Sequence, residues 1–126
     1  DRVRMAVRPD GHGKAAVTHY RTLRRFGQTA ALLECRLETG RTHQIRVHLT
    51  HAGHPLIGDP VYGRGRSGRL SGTPDEVRRR LADFPRQALH AAVLGFAHPV
   101  TGQAMRFESQ LPSDMERLLA DLDCVR

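Results

Sequence analysis

Between residues 16 and 38 the chain alternates in the manner of extended backbone. Val17, Thr18, Tyr20, Thr22 and Phe26 are β-branched or aromatic, and such side chains pack well on a pleated surface. Gly27-Gln28 supplies a turn. Beyond it Ala31, Leu33, Cys35 and Leu37 alternate with Leu32, Glu34, Arg36 and Glu38, which predicts a return strand with one apolar face. A shorter strand is expected over residues 4–7, ended by the turn cluster Pro9-Asp10-Gly11-His12-Gly13.

After Gly40 the period changes from two to that of a helix. Thr42 is the candidate cap of a helix over residues 43–52, with Gly53 at the left-handed stop position. Ile45, Leu49 and Ala52 share one side of it, and His43, Arg46 and Thr50 the other. One face is therefore expected in the core while the opposite face carries a charge. The loop over residues 53–63 holds His54-Pro55, Gly58-Asp59-Pro60 and Tyr62-Gly63, the marks of an ordered, repeatedly turned segment. Residues 64–72 show no apolar periodicity.

A second helix is expected with Thr73 as cap, Pro74 in the first position and Glu76 closing a capping box. It would turn Val77, Leu81 and Phe84 inward and end at Pro85. Leu94 and Phe96 mark a further strand, residues 98–102 a hairpin connection, and Met105, Phe107 and Ser109 the partner strand. Ser113 and Glu116 form a second capping box, opening a terminal helix with Met115, Leu118, Leu119 and Leu122. Hairpins mixed with helices predict an α+β fold, a mixed and largely antiparallel sheet with packed helices, in one domain over residues 1–126.

Charge sharpens this picture. Residues 1–70 carry thirteen Lys+Arg against five Asp+Glu, and residues 71–126 carry seven against eight. The basic half is thus the half with the dense loop, and all but one of the basic residues are Arg, suited to forked bonds with phosphate. A polyanion is the favoured partner. Cys35 and Cys124 are too few to staple a fold, so Cys35 is expected as a reduced, buried thiol. No apolar stretch approaches membrane-spanning length, and the expectation is a monomeric cytoplasmic protein. The opening DRVRMAV has no initiator Met and starts inside a strand-like pattern, which points to a fragment of something longer.

Several side chains could carry chemistry. His43, His48, His51 and His54 crowd one stretch, but they lack the convergent ligand spacing of a zinc site, so no metal is expected. Arg46 is either a solvated charge or, if another segment covers it, a buried guanidinium that needs a carboxylate or phosphate. Arg41 could aim at a phosphate together with the free N–H groups of residues 43–45. Asp59 sits between Gly58 and Pro60, where Asp commonly binds nearby backbone N–H groups, and no second acid or histidine partner is visible for it. Tyr62 could stack on a base or plug the loop onto the core. Arg64, Arg66 and Arg69 are phosphate contacts or plain surface charge, and His90 and His98 read as hydrogen-bonded structural histidines.

The two long stretches GRTHQIRVHLTHAGHPLIGDPVYG and RQALHAAVLGFAHPVTG together resemble the C-terminal half of the RluA-type pseudouridine synthases. GKAAVTHYR is similar to that family's GKPAxTxY segment, with Ala15 where Pro is usual. The resemblance implies isomerisation of uridine to pseudouridine in RNA, ribosomal rather than transfer RNA, with the base flipped into a pocket and no cofactor. It implies that Arg46 partners the catalytic aspartate, and that Arg41, His43, Gln44, Tyr62 and Arg64 face RNA. That aspartate belongs to an HRLD motif which these 126 residues do not contain, and the family's active-site tyrosine and S4-like domain are also not among them. The chain is therefore expected to be the C-terminal portion of a catalytic domain, inactive by itself. Two readings compete with it, a non-catalytic RNA-binding module and a metal-dependent hydrolase. Arg46→Ala should weaken RNA binding only modestly in a binding module and nearly abolish turnover in the enzyme.

Overall fold

The computed structural model describes residues 3–7, 16–38, 43–63 and 72–125. Strands β1 (Val3–Val7), β2 (Ala16–Phe26) and β3 (Ala30–Leu37) form an antiparallel sheet in the order β1-β2-β3. Helices α1 (Gln44–His51) and α2 (Asp75–Asp83) follow, then a hairpin of β4 (Val93–Ala97) and β5 (Ala104–Glu108), then α3 (Ser113–Leu122). The α+β class and the antiparallel pairing agree with the sequence pattern. The expected cluster of turn residues at 9–13 lies outside the described residues.

One irregularity in β2 shapes the sheet. The register runs Thr18↔Leu37, Tyr20↔Cys35 and Thr22↔Leu33, then slips to Arg24↔Leu32 and Phe26↔Ala30. One extra residue on β2 makes a β-bulge, and alternation reverses across it. Thr18 and Phe26, an even number of residues apart, therefore point to opposite faces. Thr18 is fully buried at 0% exposure and meets α1, while Phe26, 2% exposed, enters the cluster formed with α2 and α3. Strand β3 has no insertion and alternates throughout, but at its first residues the buried face is the one beside Phe26, not the one expected. Ala30 and Leu32 pack on the core, whereas Ala31 and Leu37 are exposed.

The core joins Phe26 to Val77 and Leu81 of α2 and to Leu118 and Leu122 of α3, with Ile57, Phe84, Ala88 and Leu119 around them. Arg80 ties the two helices at the surface through Asp121 and Glu76. Both expected capping boxes are corrected. Pro74 and Pro112 occupy the cap positions with no side-chain cap bond. Thr73 instead bonds Thr29 across the core edge at 2.6 Å. Acidic residues Asp75, Glu76, Asp114 and Glu116 in the first turns still complement the helix dipoles.

Helix α1 departs further from expectation. It starts at Gln44, preceded by His43 in the left-handed region at φ 52°, and Thr42 lies outside the described residues. Its buried side carries Gln44, Arg46 and His48 beside Leu49, while Ala52, expected in the core, is exposed. Gly53 does take the left-handed stop position at φ 89°.

The loop after α1 is braced by the segment after α2. Ala88 N donates to Ile57 O at 2.8 Å, and Gly58 lies so close to residue 86 that a Cβ there would sit 2.1 Å from the Arg86 carbonyl. Arg86 itself grips Asp114 of α3 with Nε and Nη2, both at 2.9 Å, and gives Nη1 to the carbonyls of Gln87 and Leu89. His90 meets the Ser109 carbonyl, and His98 Nδ1 accepts from Val100 N and Thr101 N, the structural roles expected of both.

The β4–β5 hairpin stands apart. Leu94, Phe96, Met105 and Phe107 share one face, with the Phe96 and Phe107 rings stacked at 5.8 Å. Leu94 and Phe107 are nonetheless more than half exposed. A two-stranded ribbon with no covering layer is marginal in water. Amides of residues 93–108 should therefore exchange with solvent much faster than those of β2 in a hydrogen-exchange experiment on this chain. Phe26→Ala, by contrast, should cost about 3–5 kcal/mol of unfolding free energy in a denaturant titration, because it empties the centre of the core.

Candidate functional site

Two buried polar clusters fix α1 and the loop that follows it. The first lies between α1 and β2. Gln44 Nε2 donates to the Val17 carbonyl at 2.9 Å and to Thr18 Oγ1 at 3.0 Å. Thr18 Oγ1 and His48 Nδ1 are 2.7 Å apart. With Gln44 donating to the hydroxyl, we assign the hydroxyl as the donor and Nδ1 as the acceptor, so His48 is a neutral ring protonated on Nε2. Burial holds the His48 pKa below its ordinary 6.5, and the neighbouring His51 adds to this. These bonds set both the rotation of α1 and its distance from the sheet.

The second cluster follows from that rotation. Arg46, two residues before His48, is 7% exposed and faces the loop rather than solvent. Its Nε donates to Asp59 Oδ2 and its Nη2 to Asp59 Oδ1, each at 2.8 Å. Asp59 Oδ1 also accepts the N–H groups of Val61 and Tyr62, both at 3.0 Å. Asp59 thus has the turn role expected of it, and also the charged partner that was not visible in the sequence. The Arg46 guanidinium holds Asp59 well below the usual carboxylate range, at about 2, against the opposing effect of burial. Asp59 in turn raises the Arg46 pKa.

Aromatic groups complete the site. The Tyr62 ring lies across the Arg46 guanidinium, 5.2 Å from its central carbon to the ring centroid, a cation–π arrangement. His43 meets the same ring edge-on, with centroids 6.1 Å apart and planes at 83°. His43 is exposed and Tyr62 half-buried, so both offer surface beside a buried positive charge. The left-handed backbone of His43 is a strained conformation for a residue with a side chain, of the kind that clusters at functional sites.

The residues singled out in the sequence therefore separate. Arg46, His43 and Tyr62 come together around Asp59. Gln44, expected to face RNA, is turned inward, with its amide nitrogen bonded to β2. Arg41 and Arg64 lie outside the described residues, as do Arg66 and Arg69. The sequence reading missed the Thr18–His48 contact, and a polar residue inside a strand opposite an i+4 polar pair was its only trace. Among the described residues no three His, Cys, Asp or Glu side chains gather as metal ligands. Cys35 is a half-buried free thiol, raised in pKa by burial and by Glu34, while Cys124 is exposed.

Residues 1–51, which include Arg46, match the family model described as RNA pseudouridylate synthase. The chain is also 51% identical over 118 residues to ribosomal large subunit pseudouridine synthase D of Zymomonas mobilis, covering 94% of this chain and 35% of that protein. The protein of the same name from Nitrosomonas europaea is 55% identical over 94% of this chain and 32% of its own length. An uncharacterized RNA pseudouridine synthase of Bacillus subtilis, YlyB, is 51% identical over 97% of the chain and 35% of its length. The chain belongs to the RluA-type pseudouridine synthase family. It spans about a third of the length of these curated relatives. Within the family match fall β1, β2, β3 and α1, so the buried guanidinium sits in the matched part and its Asp59 partner just beyond it.

The depressed Asp59 pKa has a definite consequence for stability. A carboxyl whose folded pKa lies below its ordinary 3.8 stabilises the fold above that value and loses the contribution as pH falls toward about 2. The unfolding free energy of the unsubstituted chain should therefore exceed that of Asp59→Asn by a constant margin above about pH 5. The two curves should converge as pH falls through the window from 3.8 to about 2, measured by urea unfolding at a series of pH values.

Proposed function

We propose that residues 1–126 form the C-terminal portion of a pseudouridine synthase catalytic domain that isomerises uridine to pseudouridine in RNA, ribosomal RNA in particular. The reaction breaks the bond from N1 of uracil to the ribose, turns the base and joins C5 to the same ribose carbon; C5 gives up its proton to solvent and N1 takes one up. Family membership supports this reading, as does the concentration of Arg in the first seventy residues. The observation that carries it is the guanidinium of Arg46, kept charged within the fold and held rigidly by Asp59.

In this reading Arg46 holds a carboxylate ionised and oriented toward the flipped nucleotide. That carboxylate comes from an HRLD segment ahead of Asp1. His43 and Tyr62 offer ring surfaces to the base or its neighbours, and Arg41 and Arg64 contact phosphates. No cofactor takes part, and the protein acts in the cytoplasm as a monomer. The functional unit is thus shared between this chain and the polypeptide that precedes it.

A tritium-release assay on RNA carrying uridine labelled at C5 tests the proposal. The polypeptide that includes the HRLD segment should release tritium, and Arg46→Ala in it should lower kcat by about 10²–10³-fold. Residues 1–126 alone should release none while still binding RNA with an affinity that falls steeply as salt rises. Turnover by the isolated chain would overturn the division of labour proposed for the two parts. No turnover by the longer polypeptide on any ribosomal RNA would overturn the function.

A further inference from the structure

A guanidinium has five N–H donors in a planar fork. Asp59 takes the Nε–H and one hydrogen of Nη2, gripping the side of the fork. The second hydrogen of Nη2 and both on Nη1 find no acceptor among the described residues. The grip cannot swivel. Asp59 Oδ1 is also bound by two consecutive backbone N–H groups of the loop, and the Tyr62 ring covers one face of the guanidinium. Arg46 is thus fixed along one edge and one face, with the end of its fork left open.

We propose that Asp59 is a positioning residue of this site, one that holds Arg46 side-on so that the open end of the fork meets the reacting carboxylate in a fixed orientation. This rests on the reading of Arg46 given above and deepens it. Asp59 touches neither substrate nor the reacting atoms in this scheme, and all of its influence passes through Arg46. A residue that only stapled the loop would act differently, because its loss would loosen Tyr62 and His43 and weaken RNA binding. The same loop hydrogen bonds serve both roles, so the distinction lies in which kinetic constant moves.

The test is a mutant cycle in the active, longer protein, with steady-state kinetics on substrate RNA and a melting curve for every variant. Asp59→Asn preserves shape and can still accept the loop N–H groups. It should lower kcat by about 100-fold while the KM for RNA stays within about threefold. Added to Arg46→Lys or Arg46→Ala, it should cost less than about threefold more, because residues acting as one unit do not contribute additively. Should Asp59→Asn not fold, Asp59→Glu makes the same comparison, keeping the charge but displacing the grip by one methylene. An unchanged or raised kcat in the Asp59 variant would overturn the proposal. So would a loss confined to KM, or losses that multiply in full with those of Arg46. An unsubstituted protein without turnover would instead sink the functional reading, and the positioning role with it.

Discussion

The Arg46–Asp59 ion pair is the constraint on which this structure turns. Removing two charges from water is expensive, and the attraction between them offsets that cost only when geometry is good and the remaining lone pairs are used. Both conditions hold, since the grip is two-pronged and Asp59 also receives two backbone N–H groups. The pair therefore joins a helix to the loop that leaves it, and gives that loop one conformation. Its stabilising value is modest beside the core. Its positional value is large, because breaking either half strands a charge inside the protein.

Everything around the pair serves to place its two halves. Gln44, Thr18 and His48 fix the rotation of α1 against β2. The segment after α2 carries the loop on Ile57 and approaches Gly58 closely, and Arg86 anchors that segment to α3 through Asp114. The bulge in β2 lets one ribbon serve both regions, since one end turns Thr18 toward α1 and the other turns Phe26 into the α2–α3 core. Without the reversal, the sheet would bury the same side along its whole length.

Much of this architecture was legible because it is local. The bounds of β2, the two hairpins, the inward residues of α2 and α3 and the stop at Gly53 all follow from periodicity and turn chemistry over a few residues. The helix starts were misread by one position. Thr73 and Ser113 have the right chemistry for a cap, but the prolines beside them, fixed near the required backbone angle, took the position instead. The apolar face of β3 was misassigned at its first residues, because the α2–α3 core lies on the side of the sheet that Phe26, Ala30 and Leu32 share. The polar burial on α1 was hidden for a different reason. A stripe of Gln, Arg and His looks solvent-facing until something polar is placed opposite it.

By itself the sequence determined the α+β class, the order of elements, the family resemblance and the importance of Arg46. These depend on spacing between neighbours in the chain and on the identity of contiguous motifs. Only the tertiary structure decided that Arg46 is buried, that its partner within this chain is Asp59, and that Gln44 is turned inward. Thirteen residues, a helix end and several turns separate the two charges. The direction in which a chain emerges from so many turns depends on what the loop packs against, here residues 84–88 and α3, and no local rule contains that information.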